Sequence, residues 1–407
     1  MEKINAKKNH WYIYVLILTI LIISIASWIY SAIRIGGKVQ QKQSAKTNTT
    51  TMAASNTTNS SNGEELVEKQ SIFELIDRKC NKFDEIVDKI DSKWSLYKNS
   101  EFSNVDSLVT YSVLGEVSSV QVFSGNDRWL FYKSKSDGDS IADYEGTNRY
   151  SQDEINNITE SALLVQKEME ARGIKFTIMV APNKENVYSE YMPNTYTKAE
   201  VTSTDILIDN LKSKGINVVS PKNNLLNDHL VEELYYHYDT HWNQLGAYIG
   251  VRDSLAALDI SIPELTERKI TSKPLKENYH YCAEDDLAKL AGLKAVLSDD
   301  VEYEVEGTLP VDWTSFKEEQ ETEQVSHFHN DNAENKSTIL LVGDSFRSSM
   351  IPELREQFED VYVLHRSFYK ANLLDEISPD YVIAEYVERY SCLMKDICDL
   401  IEVGRYN

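Results

Sequence analysis

The stretch Ser337-Thr-Ile-Leu-Leu-Val-Gly-Asp-Ser345-Phe-Arg-Ser-Ser-Met350 reads as a strand, a tight turn and the first turn of a helix. Its apolar residues, Thr338 to Val342, run without the polar and apolar alternation of a half-exposed strand. Such a run is buried on both faces, as in a parallel sheet covered by helices. The same unit recurs on either side. A helix from Ser151 to about Ala171 is closed by Gly173 and followed by the apolar run Ile174 to Ala181. A second helix, about Ser203 to Lys214, stops at Gly215 and feeds Ile216 to Ser220. Downstream, Val361 to Leu364 and Tyr381 to Ala384 repeat the strand pattern. The expectation is one α/β domain over residues 110–407, with a mainly parallel sheet flanked by helices. Leu114 to Lys133 should add a hairpin around Gly125-Asn-Asp127, and the acidic stretch Val301 to Asn335 an irregular insertion.

In open α/β sheets, ligands sit outside the carboxyl ends of the strands, and Ser345 falls at such an end. A helix starting after it would aim free N–H groups at whatever Ser345 attacks, with the Ser345 N–H as an oxyanion donor. A serine nucleophile needs a base. About a hundred residues earlier, Tyr235-Tyr-His-Tyr-Asp-Thr-His-Trp-Asn-Gln-Leu-Gly246 sets His237 and His241 around Asp239. In an extended segment alternate side chains share a face. Asp239 can then hold a histidine ring through Nδ1 and leave Nε2 free to take a proton from a hydroxyl. Trp242 to Leu258 reads as an amphipathic helix, whose start disfavours an imidazolium and would keep His241 neutral.

The candidate catalytic residues are therefore Asp239, His241 and Ser345, with no cofactor and no metal. Two alternatives stay open. Gly343-Asp-Ser345 fits an ordinary turn with Ser345 as helix N-cap. His237, Asp239 and His241 also form an H-x-D-x-H set of metal-ligand types, with His327, His329 and Asp331 as a second nitrogen and oxygen cluster.

Charge narrows the partners. The chain carries a net charge of −23, and without residues 1–38 the remainder is near −27, which lacks the basic footprint of a nucleic-acid binder. Residues 1–10 form a short, basic tail. Trp11 to Ile33 is 23 residues without a charge, long enough as a helix to span roughly 30 Å of hydrocarbon. No small-residue cleavage site follows, so the segment is expected to stay as a transmembrane anchor. Lysines and arginines stand on both sides of it and leave its orientation open. Residues 34–64 read as a disordered tether, with fourteen Ser, Thr or Asn in the twenty residues Ser44 to Gly63. Within residues 65–100, Phe73, Ile76, Cys80, Phe83, Val87, Ile90 and Trp94 recur at spacings of three and four. That is an amphipathic helix, laid on its own domain or pairing two copies as a stalk. Cys80, Cys282, Cys392 and Cys398 show no C-x-x-C spacing and read as small core residues.

Asp239-Thr-His241-Trp242 followed by Gly343-Asp-Ser345-Phe resembles the SGNH-hydrolase-like proteins of the alginate acetylation type (AlgX/AlgJ) and the related bacterial DHHW family. Supporting pieces stand in order: Gly125-Asn-Asp-Arg-Trp129-Leu-Phe131, Ala181-Pro-Asn-Lys184 to Pro193, Asp286-Leu-Ala-Lys-Leu-Ala-Gly-Leu293, and Pro379-Asp-Tyr-Val-Ile-Ala-Glu385 to Arg389. The resemblance implies that Ser345 is a nucleophile, His241 its base and Asp239 the residue that orients the base. It implies acetyl transfer onto, or removal from, an extracytoplasmic polysaccharide. A domain outside the membrane and an integral-membrane acyltransferase as donor are implied as well. A catalytically silent glycan-binding or assembly protein on the same fold is the competing reading, beside a metal-dependent hydrolase. Two departures stand out. Arg128 occupies a position where the family usually has glycine, and Arg347 one where a small residue is common. Arg347 is expected to be a solvated first-turn arginine.

Overall fold

The structure, a computed structural model, describes residues 119–228, 233–274, 285–309, 325–368 and 372–401, with 107–108, 110–112, 115–117 and 311. The expected anchor, tether and amphipathic helix lie outside the described residues, as do Cys80 and Cys282. Among the described residues no helix is long and apolar enough to cross a membrane. Cys392 and Cys398 are half-buried rather than core residues, with the Cys398 thiol on the Ser161 carbonyl at 3.5 Å.

The domain opens with a hairpin, β1 (Val122–Ser124) against β2 (Leu130–Tyr132), joined by a helical turn at Asn126–Arg128. Gly125 is required there, because a Cβ would lie 2.4 Å from the Tyr191 carbonyl oxygen and 2.5 Å from the Phe131 ring. Arg128 adopts a φ of 68°, the left-handed region that favours glycine. Its guanidinium forks onto Asp299 at 3.0 and 3.1 Å, an exposed pair that partly offsets the strain.

After α1 (Ser140–Tyr144), α2 (Gln152–Ala171) starts at Ser151, whose side chain and that of Glu154 bond reciprocally as a capping box. Gly173 ends it with a φ of 73°, a conformation open to glycine at little cost. The chain continues through β3 (Lys175–Ala181), α3 (Lys184–Val187), α4 (Ser203–Ser213), β4 (Val218–Val219), α5 (Lys222–Asp228) and α6 (Gln244–Ala256). Next come β5 (Ile270–Pro274), α7 (Asp286–Leu290), β6 (Val301–Val305), β7 (Ser326–His329) and β8 (Asn335–Gly343). The last part is α8 (Ile351–Gln357), β9 (Phe358–His365), α9 (Leu373–Ile377), β10 (Tyr381–Val387) and helical turns over Glu388–Leu400.

Six strands form one sheet in the order β4-β3-β10-β8-β9-β7. All neighbours are parallel except the edge strand β7, which runs antiparallel to β9. The sheet is therefore mixed. Alternation of side chains across each strand divides the core into two layers. Phe176, Ile178, Val180, Leu340, Val342, Val382 and Ala384 face α2 and α4, while Met179, Ala181, Ile339, Leu341 and Ile383 join the layer that contains α6. Full burial of each such aliphatic side chain contributes about 1.5–3 kcal/mol, which is why these strands carry no polar alternation.

Two expectations need correction. The stretch Val301 to Asn335 is not uniformly irregular, since β6 pairs with β5 and β7 with β9. Val301-Glu-Tyr-Glu-Val305 does alternate with the strand period, but it stands in an acidic stretch whose composition reads as loop, and Ser-His-Phe-His carries too little apolar surface to announce a strand. The helix after His241 is not amphipathic either. Ten residues of α6, from Gln244 through Leu255, are buried, because it packs against β3, β6 and α8 as well as the turn after Ser345.

Candidate active site

Ser345 stands at the carboxyl end of β8, at the first position of the helical turns Ser345–Met350. The turn is fixed from its neighbour. Asp344 Oδ1 accepts the Phe346 N–H at 3.0 Å and Asp344 Oδ2 accepts the Val387 N–H at 2.8 Å. The Asp344 N–H in turn donates to Glu385 Oε2 at 2.9 Å. Glu385 is fully buried, and burial together with the adjacent Asp344 charge pushes its carboxyl well above the usual range, which favours the neutral acid. Gly343 makes room for it, because a Cβ there would lie 2.3 Å from Glu385 Oε2. Arg347 is buried, with Nη1 donating to the Asp344 carbonyl at 2.5 Å. It braces the turn from inside the fold, where a solvated arginine was expected.

The histidine arrives on a loop pinned between Tyr235 and Trp242, which form an isolated antiparallel bridge. Residues 237–241 bend instead of extending, so the shared strand face anticipated for His237, Asp239 and His241 does not form. Asp239 meets His241 by a tighter route. Its Oδ1 accepts the His241 backbone N–H at 3.0 Å and lies 2.6 Å from His241 Nδ1. His241 Nε2 then lies 2.7 Å from Ser345 Oγ. The three candidate residues are thus brought together in the order Asp239, His241, Ser345. The next residue ties the two loops: Trp242 Nε1–H donates to the Phe346 carbonyl at 3.0 Å, beneath a helix in which Gly250 leaves space for the indole. Asn243 caps α6 by accepting from Leu245 and Gly246.

Burial opposes charge on the His241 ring, but the Asp239 carboxylate against Nδ1 outweighs it and raises the imidazole above its ordinary value. The helix start, expected to disfavour the imidazolium, is outweighed, since a full charge at contact exceeds the partial charge of a helix end. Asp239 is likewise opposed by burial, yet the His241 charge and the N–H groups of His241 and Asp286 hold it below the usual carboxylate range. Asp239 is thus an ionised carboxylate against Nδ1, placed to stabilise an imidazolium once His241 has taken a proton through Nε2.

Several partners were not legible as functional from their motifs. Lys184 is buried and its ammonium donates to three loop carbonyls, those of Tyr236, His237 and Asp239, at 3.1, 3.1 and 2.7 Å. Burial brings it down to about 8 despite Asp300, Asp286 and Asp239 nearby. Asp286 closes the other side. Its N–H donates to Asp239 Oδ2 at 3.1 Å, and its carboxylate accepts from the Thr240 N–H at 2.8 Å and hydroxyl at 2.6 Å. Burial, then the Asp239 charge, pushes Asp286 up to about 6. Both residues lie in motif stretches quoted above, but only the folded loop shows what they hold. Arg389 packs its guanidinium 5.5 Å from the Phe346 ring centroid and borders a small cavity with Asn183, Lys184 and Thr240.

His237 takes no part in this arrangement. Its Nε2 lies 3.1 Å from Glu233 and its Nδ1 3.0 Å from Asp300, while the ring meets Trp129 edge-on. Burial disfavours its charge, but Asp300 and Glu233 prevail and push it up to about 9. It is a cation between two carboxylates, so the H-x-D-x-H ligand set does not assemble. A different trio of donor types, Asp239, His241 and Asp286, does converge.

The family described as SGNH hydrolase-like domain, acetyltransferase AlgX, matches residues 122–364, more than half of the chain. No curated protein matches. Among solved structures, Bacillus cereus PatB1 with a sulfonyl adduct is similar at 13% identity over 66% of this chain and 97% of its own, with a TM-score of 0.47. A DHHW family protein from Eubacterium siraeum is similar at 16% identity over 72% of this chain and 99% of its own, with a TM-score of 0.49. The O-acetyltransferase domain of Pseudomonas putida AlgJ is similar at 15% identity over 67% of this chain and 92% of its own, with a TM-score of 0.42.

Proposed function

The chain belongs to the family of the SGNH hydrolase-like domain of acetyltransferase AlgX, and from that premise we propose that it transfers or removes O-acetyl groups on a cell-surface polysaccharide through Ser345, His241 and Asp239. The observation that carries the reading is the continuous chain from Asp239 Oδ1 to His241 Nδ1 at 2.6 Å and from His241 Nε2 to Ser345 Oγ at 2.7 Å. That is the contact distance a general base needs.

In the proposed reaction, Ser345 Oγ attacks the acetyl carbonyl as His241 Nε2 takes its proton, and Asp239 stabilises the imidazolium without accepting the proton itself. The Ser345 N–H, at the start of a helical turn, would receive the developing oxyanion. His241 returns the proton to the leaving oxygen as the ester bond to the donor breaks, leaving acetyl-Ser345. A sugar hydroxyl, deprotonated by His241, then attacks the acetyl carbonyl, and the bond to Ser345 Oγ breaks as His241 returns the proton to Oγ; water in place of the sugar gives hydrolysis.

We further propose the setting in which this occurs. Residues 11–33 anchor the chain, residues 34–64 tether it, and residues 65–100 add a stalk helix able to pair two copies. The domain of residues 110–407 then works outside the membrane. Acetyl donors are cytoplasmic, so a transferase working there requires an integral-membrane acyltransferase to pass the group across.

The test is intact-protein mass spectrometry after incubation with an activated acetyl ester. One acetyl is expected on wild type and none on Ser345→Ala. Absence of the adduct from a folded wild-type chain would leave a silent glycan-binding protein as the reading.

A further inference from the structure

We propose that His327, His329 and Asp360 form a binding site for a zinc-class divalent cation that ties the edge strand β7 to β9. Nothing in the acyl-transfer chemistry uses these residues. Their juxtaposition is set by the backbone. His327 and His329 are two apart on β7 and so share one face of the sheet. Asp360 on β9 is the cross-strand partner of His329, and Tyr362 the partner of His327, so all three ligand types project from that face.

The donor atoms converge on one point. His327 Nε2 lies 2.7 Å and His329 Nδ1 2.8 Å from the same Asp360 Oδ1, and all three ligand atoms lie within 4.8 Å of one another. Two imidazole nitrogens and a carboxylate oxygen, with water at the fourth position, are the ligand set of an open tetrahedral zinc site. Bonds of about 2.0–2.2 Å need only a small opening of the trio. The rings are already oriented. His327 stacks on Tyr362 with centroids 4.1 Å apart and planes 4° from parallel. His329 directs its other nitrogen, Nε2, to Asp331 Oδ1 at 3.0 Å. A carboxylate on the far nitrogen fixes the tautomer with Nδ1 toward the metal, the usual support of a metal-bound histidine. All three side chains are reached from solvent, being 41%, 48% and 25% exposed.

The strand register separates this site from the serine. Thr338 of β8 lies beside Asp360, whereas Gly343 lies beside His365, which is about 16 Å farther along the strands at roughly 3.3 Å per residue. The cation would act on the edge strand, closing a pairing that only four residues of β7 make. Imidazole and carboxylate together suit zinc and its neighbours in the first transition row over magnesium or calcium.

Titration of the metal-stripped full chain with Co2+ tests the site, followed by displacement with Zn2+. The expected result is one saturable set of visible absorption bands, with proton release on binding. The bands should be lost in His327→Gln and His329→Gln, weakened in Asp360→Asn, and kept in His241→Ala. Zn2+ should raise the melting temperature of wild type and of His241→Ala, and of neither glutamine variant. No bands at millimolar Co2+, or bands that survive both glutamine variants or vanish with His241→Ala, would overturn the proposal.

Discussion

His241 Nε2 and Ser345 Oγ lie 2.7 Å apart although the two residues are 104 positions apart in the chain. Two devices hold them there. Trp242 hangs the histidine loop on the Phe346 carbonyl, and Asp344 anchors the serine turn to the backbone of β10. Each lies one residue from a catalytic candidate, so the contact is set by buried hydrogen bonds at the immediate neighbours of the two residues.

The first prediction concerns proton transfer. The Asp239 carboxylate raises His241 above an ordinary imidazole, and the base must be neutral to act. The acid limb of kcat/KM should therefore lie above pH ~6.5, the ordinary histidine value. In Asp239→Asn only the Asp286 charge still opposes burial, so the limb should move down while kcat falls on the order of 10³–10⁴-fold. A limb unmoved by the substitution, measured with an acetyl ester, would sink the role given to Asp239.

Lys184 should behave as a positioning residue. Lys184→Met takes the ammonium from three loop carbonyls, of which that of His237 keeps the Leu130 N–H, and should cost about 1–3 kcal/mol of stability, the penalty of a buried group that loses its partner. The readout is kcat, which should fall well over tenfold at unchanged KM in the fraction that remains folded, because Asp239 and His241 ride on that loop. Wild-type kcat in a destabilised variant would show that the loop holds its shape without the lysine.

Glu385 is argued to be protonated, and a neutral isostere tests that. Glu385→Gln should alter stability by less than about 1 kcal/mol and leave activity near wild type, since a carboxamide oxygen can accept from the Asp344 N–H. Glu385→Ala strands that N–H and should cost about 1–3 kcal/mol. Chemical denaturation of both variants decides it; a large loss in Glu385→Gln would mean that the group carries a charge.

Chelation should separate the two candidate centres. EDTA is expected to leave acetyl-ester hydrolysis unchanged, because the reaction drawn through Ser345 uses no metal. Activity that disappears with EDTA and returns with zinc in His327→Gln as well as in wild type would instead assign Asp239, His241 and Asp286, the trio that converges in the fold, as ligands.

Topology can be tested on cells whose wall has been removed. Added protease should cut first between Ser44 and Gly63, a stretch of Ser, Thr and Asn with little to bury, and release a folded fragment carrying Ser345. A tether cut only after lysis would put the domain inside and end the surface-glycan reading.

The sequence by itself determined the α/β class, because strands buried on both faces must be largely apolar, and runs such as Ile178–Ala181 and Ile339–Val342 show it directly. It also determined Ser345, His241 and Asp239 as candidates, since their spacing and their neighbours Asp344 and Trp242 are local. It could not reveal β7, whose histidines hide the strand pattern until a partner strand supplies the hydrogen bonds, whereas the alternation of Val301, Tyr303 and Val305 in β6 stood in the sequence beneath its acidic composition. The separation of His237 from His241 was decided only by tertiary structure. A bend at residues 237–241 turns one ring toward Glu233 and Asp300 and the other toward Ser345. Lys184, Asp286 and Glu385 belong to the same category. Each acts by satisfying backbone groups of a distant segment, and which N–H or carbonyl is left over for it is fixed only when the chain has folded.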